Sequence, residues 1–307
     1  MGFVPFFIRR LVGSLIIIIA LVAIVFLVTS AVGDPARLML RPEATEEQAE
    51  ELRARLGLSD PLPTRFARYM TDALQGDFGE SLWQRVPAMD IVLERLPKTL
   101  YLIAVTLLIA LPLAAILGVL SALRPGSIFE RVATVVGLAG VSIADFWLGL
   151  MLIFFFAVEL DWLPTSGYGG ASYVILPAIA LAARPMGRLS QVIRDSLSTQ
   201  LRQLYVSTAR AKGLRERAVI GVHAMRNAAI PVVTIAADEI AALLTGAVAI
   251  ETIFGWPGLG SLLIQAIERR DLPLIVASVV VIATIIVLIN FIVDLIYTLV
   301  DPRVRLR

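Results

Sequence analysis

Four stretches of this chain are each long enough to cross a bilayer and carry at most one formal charge. Leu11–Val32 has 22 residues and no charge, Thr99–Leu123 has 25 and none, and Leu272–Val293 has 22 and none. Val132–Val158 has 27 residues, interrupted only by Asp145. About 20 apolar residues in a helix span the hydrocarbon core. Within that core every backbone N–H and C=O must be satisfied by the chain itself, which leaves helices or closed barrels. Unbroken apolar runs, as opposed to residues of alternating polarity, select the helix. The composition agrees: 58% of residues are apolar and 17% charged, where a soluble domain has roughly 45–50% and about 25%. Mean hydropathy is +0.84. The chain reads as an all-α polytopic membrane protein, and the soluble, fibrous and disordered classes are excluded.

Two further runs complete the count. Ala228–Ile250 is apolar apart from Asp238 and Glu239, and Val174–Ala183 is a short apolar run followed by Arg184-Pro185. Loops rich in Lys and Arg stay in the cytoplasm. With six spans and a cytoplasmic N-terminus, 16 of the 27 basic residues fall inside, nine of them between 184 and 226, and the outside loop 159–173 has none. Without a fourth span those nine would lie outside, so a span is expected from 174 to about Leu197, its charged end facing protein or the water interface. Both termini are then cytoplasmic. Arg9-Arg10 before the first run resembles a signal peptide, but 22 residues exceed an h-region of about 7–15, and the run reads as an uncleaved span.

Three parts follow: 1–32 as cytoplasmic N-terminus and first span, 33–96 as an extracytoplasmic helical cap, and 97–307 as a five-span core with a cytoplasmic loop at about 198–230. In the cap, Thr45-x-x-Gln48 is a capping box opening a short helix, with Leu52 and Leu56 on one face and Gly57 as its stop. Pro61 and Pro63 break the chain, and Phe66, Tyr69, Met70 and Ala73 fit a second amphipathic helix. The cap is too small for an independent catalytic core.

Several chemistries are excluded. There is no cysteine and one histidine, His223, so thiolate and multi-histidine metal sites and cysteine nucleophiles are absent. The two lysines, Lys98 and Lys212, follow Pro97 and Ala211. A phosphate-binding loop needs Gly-Lys-Ser/Thr, so this chain does not hydrolyse ATP by that route. Net charge is +2 and the basic residues track the loops, so no nucleic-acid partner is expected. His223 lies in a loop with no paired nucleophile, and a structural role is the simpler reading.

The most informative stretch is cytoplasmic. Tyr205–Lys212 consists of good helix formers, Gly213 follows as a C-cap, and Arg210 and Lys212 suit the helix dipole. A second helical run ends at Pro231, where the fifth span begins. A short basic helix between two spans is either an interfacial element held by anionic lipid or a docking element for a cytosolic partner.

Ser207-Thr-Ala-Arg-Ala-Lys-Gly213, continued by His223-Ala-Met-Arg-Asn227-Ala-Ala-Ile-Pro231, resembles the permease signature of binding-protein-dependent ABC importers. More narrowly, the chain resembles the oligopeptide/dipeptide permease family, first-subunit type, which includes nickel and glutathione members. Gly33-Asp34-Pro35, Ala44-Thr45, Leu56-Gly57-Leu58, Gly76-Asp77-Phe78-Gly79, Arg95-Leu96-Pro97 with Thr99, and Gly255-Trp-Pro-Gly-Leu-Gly260 fall where that family has similar strings. The general signature begins Glu-Ala-Ala; here Ser207-Thr208-Ala209 stand in those places, and His223–Arg226 replaces a hydrophobic-Leu-Pro element.

The resemblance implies a type I ABC importer permease fold in the bacterial inner membrane. It implies a second homologous permease, two ATPase subunits that bind ATP and Mg, an extracytoplasmic substrate-binding protein, and a peptide substrate. No cofactor or metal is expected on this chain. Ser207, Thr208, Ala209, Arg210, Ala211, Lys212, Gly213 and Leu214 would form the coupling element in a groove of an ATPase. The family's nickel and glutathione permeases remain alternatives.

Intramembrane carboxylates each cost roughly 2.5–3.5 kcal/mol at mid-bilayer and must face protein or water. Asp145, Asp238 and Glu239 are candidates for lining a pathway, where a peptide's ammonium would suit them. A proton-coupled secondary transporter would use the same groups, and an aspartyl-type dyad of Asp145 and Asp238 lacks a supporting glycine motif. Glu251 and Asp294, near span ends, read as packing groups. Gly255–Gly260 precedes an apolar face of Leu259, Leu262, Leu263, Ala266 and Ile267. It reads as an interfacial or re-entrant turn with Trp256 at headgroup level, or as an outer gate of Trp256, Pro257 and Gly258 contacted by the binding protein.

Overall fold

The computed structural model describes residues 3–31, 45–55 and 60–300. All the regular elements among them are helical. In chain order they are α1 (Phe3–Ala31), α2 (Glu46–Arg55), α3 (Leu62–Leu74), α4 (Ala88–Leu123), α5 (Ile128–Ser142), α6 (Asp145–Leu152), α7 (Ala171–Leu201), α8 (Leu204–Ala211), the short α9 (Glu216–Ala218), α10 (Met225–Ile253), α11 (Leu259–Glu268) and α12 (Leu272–Val300). π-helical turns extend α6 over Ile153–Glu159 and join α9 to α10 over Val219–Ala224. Among the described residues three helices are long and apolar enough to cross a membrane, Ala88–Leu123, the continuous run Glu216–Ile253, and Leu272–Val293, and the bent pair Ile128–Ser142 with Asp145–Glu159 makes a fourth if it is one span. Large side chains on the outside, such as Leu108 (74% exposed) and Val135 (66%), are what a lipid-facing surface requires. The chain is a membrane-embedded all-α protein.

The chain divides into two compact units, one of Pro97–Ser261 with the chain from Leu288 on, the other of Phe3–Leu96 with Leu262–Val287. In the second unit the capping box forms as expected: Thr45 N–H donates to Gln48 Oε1 at 3.1 Å and Gln48 N–H to Thr45 Oγ1 at 3.4 Å. Leu56, Gly57 and the Leu52 side chain lie outside the described residues. Pro61 and Pro63 do not interrupt structure but start it. α3 opens directly after Pro61, with Pro63 in its first turn, where a missing N–H costs nothing. α3 packs on α1 through Phe66 and Tyr69, whose ring centroids each lie 5.3 Å from that of Phe26. Burial pushes the Tyr69 hydroxyl to about 12, so it stays a neutral packing group.

The first unit is built around α7. Thirteen of its 31 residues are buried, among them Leu176, Leu181, Leu189 and Leu197. It runs unbroken through Pro177 and Pro185 and past Arg184, Arg188 and Arg194, giving the expected fourth helix a length of about 46 Å. It crosses α5 at glycines: a Cβ on Gly140 would strike the Ala183 carbonyl, and one on Gly187 the Gly137 carbonyl. On its α4 side, a Cβ on Gly118 would lie 2.6 Å from the Ser190 carbonyl oxygen. Small residues at such crossings let helices in lipid gain contact area through their backbones.

Two expectations are corrected. Val132–Val158 is not one straight helix. α5 and the α6 segment meet at a 107° bend, with Ile143 and Ala144 both extended. Asp145 therefore opens a new helix, where a carboxylate is favoured by the dipole, instead of interrupting an old one. Pro231 does not end a helix either; it lies inside α10. Prolines are tolerated within membrane helices because neighbouring groups re-satisfy the freed carbonyl.

Candidate functional site

The expected coupling segment forms α8. Val206 and Ala209, three residues apart, are buried with Ala122, Leu197, Val219, Ala224 and Ala228 in one apolar cluster. The rest of the helix points away: Leu204 is 86% exposed, and Tyr205, Ser207, Thr208, Arg210, Ala211, Lys212, Gly213 and Leu214 are all exposed. Gly213 has φ +76°. Its N–H bonds the Arg210 carbonyl at 2.9 Å and the Leu214 N–H bonds the Ala209 carbonyl at 3.4 Å. That is the Schellman arrangement a C-terminal glycine supports. Beyond the turn, Arg210 Nε meets Glu216 Oε1 at 2.7 Å and Nη2 meets Oε2 at 3.4 Å, a bidentate pair bracing the exit. His223 is exposed on the following π-turn.

The intramembrane charges gather between α6, α7 and α10. Glu239 is buried, 2% exposed, and its Oε1 accepts from Arg188 Nη1 at 2.7 Å. Asp145 lies within electrostatic reach of Arg184 and Glu239. Its Oδ1 is buried without a hydrogen-bond partner among the described residues, and its Oδ2 lies against Gly246, two helical turns beyond Glu239 on the same face of α10. Asp238 is exposed on another face. The structure thus brings Asp145 and Glu239 into one cluster with two arginines and leaves Asp238 apart. The Asp294 side chain lies outside the described residues.

At the other end of α10, Gly255–Gly258 forms a tight turn into α11. Trp256 is buried in protein, 1% exposed. Its ring stacks on Tyr101 at 6.2 Å, meets Tyr168 edge-on at 4.9 Å, and donates its Nε1–H to the Lys98 carbonyl at 3.1 Å. The ring found protein partners because the turn folds back over α4 instead of outward to lipid. Pro257 is half-buried and Gly258 buried; a Cβ on Gly258 would overlap the Glu251 carboxylate. Glu251, read as a packing group, is fully buried and bonded to Thr99, Gly260 and Ser261.

Sequence reasoning assigned no role to Arg188 or Asp271 and marked Thr99 only as part of a family-like string. Arg188 lies one turn from Arg184 on α7, and that i, i+4 spacing was the available signal. Asp271, fully buried, accepts from Ser81 Oγ at 2.5 Å, Trp83 N–H at 3.1 Å and Leu274 N–H at 3.2 Å. An Asp directly before the apolar run of α12 is an N-cap signal. Nearby, the Arg269 guanidinium stacks 3.8 Å over the Trp83 ring.

Apolar helices of membrane-crossing length with a short exposed helix anchored beside them are the features of a membrane transport subunit. The family described as binding-protein-dependent transport system inner membrane component matches residues 114–306, and the N-terminal component of the same systems matches residues 3–103. The chain belongs to that family, and is a permease subunit of a binding-protein-dependent importer. It is 36% identical over 312 residues to the oligopeptide transport system permease protein AppB of Bacillus subtilis, covering 98% of this chain and 99% of that one. It is 39% identical over 303 residues to the di/tripeptide permease DppB of Pseudomonas aeruginosa, covering 89% and 90%. To the glutathione permease GsiC of Escherichia coli it is 37% identical over 299 residues, covering 97% and 98%. Among solved structures, a chain of the inward-facing MetNI methionine ABC transporter superposes with TM-score 0.52 at 20% identity, covering 68% of this chain and 94% of that one. The fold is that of the type I importer permeases.

Proposed function

We propose that this chain is one of two related permeases in an ATP-driven importer of di- or oligopeptides, lying in the bacterial inner membrane with both termini cytoplasmic. The relatives' named cargoes, oligopeptide, di/tripeptide and glutathione, share a peptide backbone, which supports a peptide over a metal cargo. The partners are a second permease, two ATPase subunits carrying ATP and Mg, and an extracytoplasmic binding protein. The translocation path runs between the two permeases, with Asp145, Asp238 and Glu239 along it and Trp256, Pro257 and Gly258 at its outer gate.

The observation that carries the reading is α8. Its Ser207, Thr208 and Arg210, with Lys212 and Gly213 just beyond, present an exposed polar face while Val206 and Ala209 anchor it in the apolar cluster. A helix held on one side and bare on the other is built to be gripped. ATP-driven closure of two ATPases would shift the spans between two states by differential contact with that face.

The test is co-purification of the tagged chain with its genomic neighbours in mild detergent, before and after deleting residues 205–214. A second permease and ATPases should co-elute, and the deletion should release the ATPases alone. Elution of the intact chain by itself or as a homo-oligomer overturns the reading.

A further inference from the structure

The densest buried hydrogen-bond web in the first unit lies at the outer end of α10. Thr99 Oγ1–H donates to Glu251 Oε1 at 2.6 Å. The N–H groups of Gly260 and Ser261 donate to Glu251 Oε2 at 2.7 and 3.1 Å. Thr99 Oγ1 itself accepts the Leu259 N–H at 2.8 Å. The first three N–H groups of α11, which no helix can satisfy internally, are thus taken by a carboxylate from α10 and a hydroxyl from α4. The same two residues frame Trp256. The Trp256 N–H bonds the Glu251 carbonyl at 2.8 Å, its ring nitrogen bonds the carbonyl of Lys98, next to Thr99, and its ring stacks on Tyr101, two residues further along α4.

We propose that Glu251 and Thr99 are the positioning residues of the outer turn: their hydrogen bonds seat Trp256, and the turn moves as a gate only when they part. The inference rests on the outer-gate reading above.

The geometry makes charge and hydroxyl, more than shape, decisive. The Thr99 hydroxyl and the Gly260 and Ser261 N–H groups all donate to the carboxylate. The Thr99 oxygen already accepts the Leu259 N–H, so its own proton goes to Glu251. An amide at 251 would set its NH2 against the Gly260 and Ser261 N–H groups, or against the Thr99 hydroxyl proton. A valine at 99 keeps the volume and removes both bonds, while a serine keeps both.

The chain has four tryptophans. With Trp83, Trp147 and Trp162 changed to Phe, emission of the purified chain reports Trp256 alone. Glu251→Gln and Thr99→Val should move that emission to the red and expose it to acrylamide. Uptake in proteoliposomes should fall roughly tenfold while ATP hydrolysis persists, the scale of one lost charge-assisted hydrogen bond. Thr99→Ser should match the parent in both readouts. Parent-like emission in Thr99→Val overturns the proposal, as does equal failure of Ser and Val, which would mark packing alone. Because emission is read whether or not uptake occurs, a parent complex that takes up no peptide defeats the importer reading and leaves the positioning role to be decided by the emission of Thr99→Val.

Discussion

At the scale of single residues, the ion pair of Arg188 and Glu239 is the most consequential buried contact outside the outer turn. Glu239 is nearly inaccessible, while the Arg188 side chain is 42% exposed. Removing the arginine leaves a buried carboxylate without its partner; in fully buried pairs that costs about 3–5 kcal/mol, and partial exposure here places it at the lower end. Arg188→Met should therefore lower the thermal unfolding midpoint of the detergent-solubilised chain more than Glu239→Gln does. The double variant should recover much of the loss, because neither charge is then stranded. Additive losses in the double variant would show that the two side chains do not act as a pair. The sequence showed Asp238-Glu239 as a doublet without saying which mattered. Neighbours on a helix point about 100° apart, so only one can face α7, and that choice depends on how α10 is rotated in the bundle. For the same reason Asp145 could be placed in the membrane from sequence but not beside Arg184 and Glu239.

At the scale of elements, α8 was almost fully legible: helix formers, basic residues near the end and a glycine stop gave its bounds to within a residue. Its seat was not, because Val206 and Ala209 meet a cluster drawn from α4, α7 and α10, contacts that only the tertiary fold makes. A Cβ at Gly213 would meet open space, so the objection to a side chain is backbone strain alone. Gly213→Asn, tolerant of left-handed geometry, should keep ATPase coupling, whereas Gly213→Val should pay roughly 1–2 kcal/mol and uncouple ATP hydrolysis from uptake, measured in the same vesicles. Val206→Asp should bury a charge under α8, costing on the order of 3 kcal/mol, and release the ATPases on co-purification while leaving membrane insertion intact. Retained ATPases in that variant would mean that the apolar seat does not hold the docking face.

For the whole molecule, composition and loop charge foretold helices across the membrane, and the basic loop predicted α7 despite its arginines. What they could not show was the bend between α5 and α6. Apolar periodicity continues across Ile143 and Ala144 because both halves are buried or lipid-facing, so hydropathy carries no trace of direction. Orientation is open to a clean measurement, since the chain has no cysteine. A cysteine at exposed Leu204 should react with an impermeant maleimide only from the cytoplasmic side, and one at exposed Trp162 only from outside. The reverse pattern would invert the topology.

The glycine crossing of α5 and α7 has a mechanical consequence. Where Gly140 rides on the Ala183 carbonyl and Gly187 on that of Gly137, there is no cushion of side chains to shear or repack. Sliding one helix along the other would drive backbone against backbone. α8 is joined to the end of α7 by only Arg202 and Gln203, so a displacement of α8 acts directly on the end of α7. The chain changes direction by 107° at Ile143–Ala144, and α6 beyond that bend packs on α7 and α10, so any shift of the paired helices is handed on to α10 through α6.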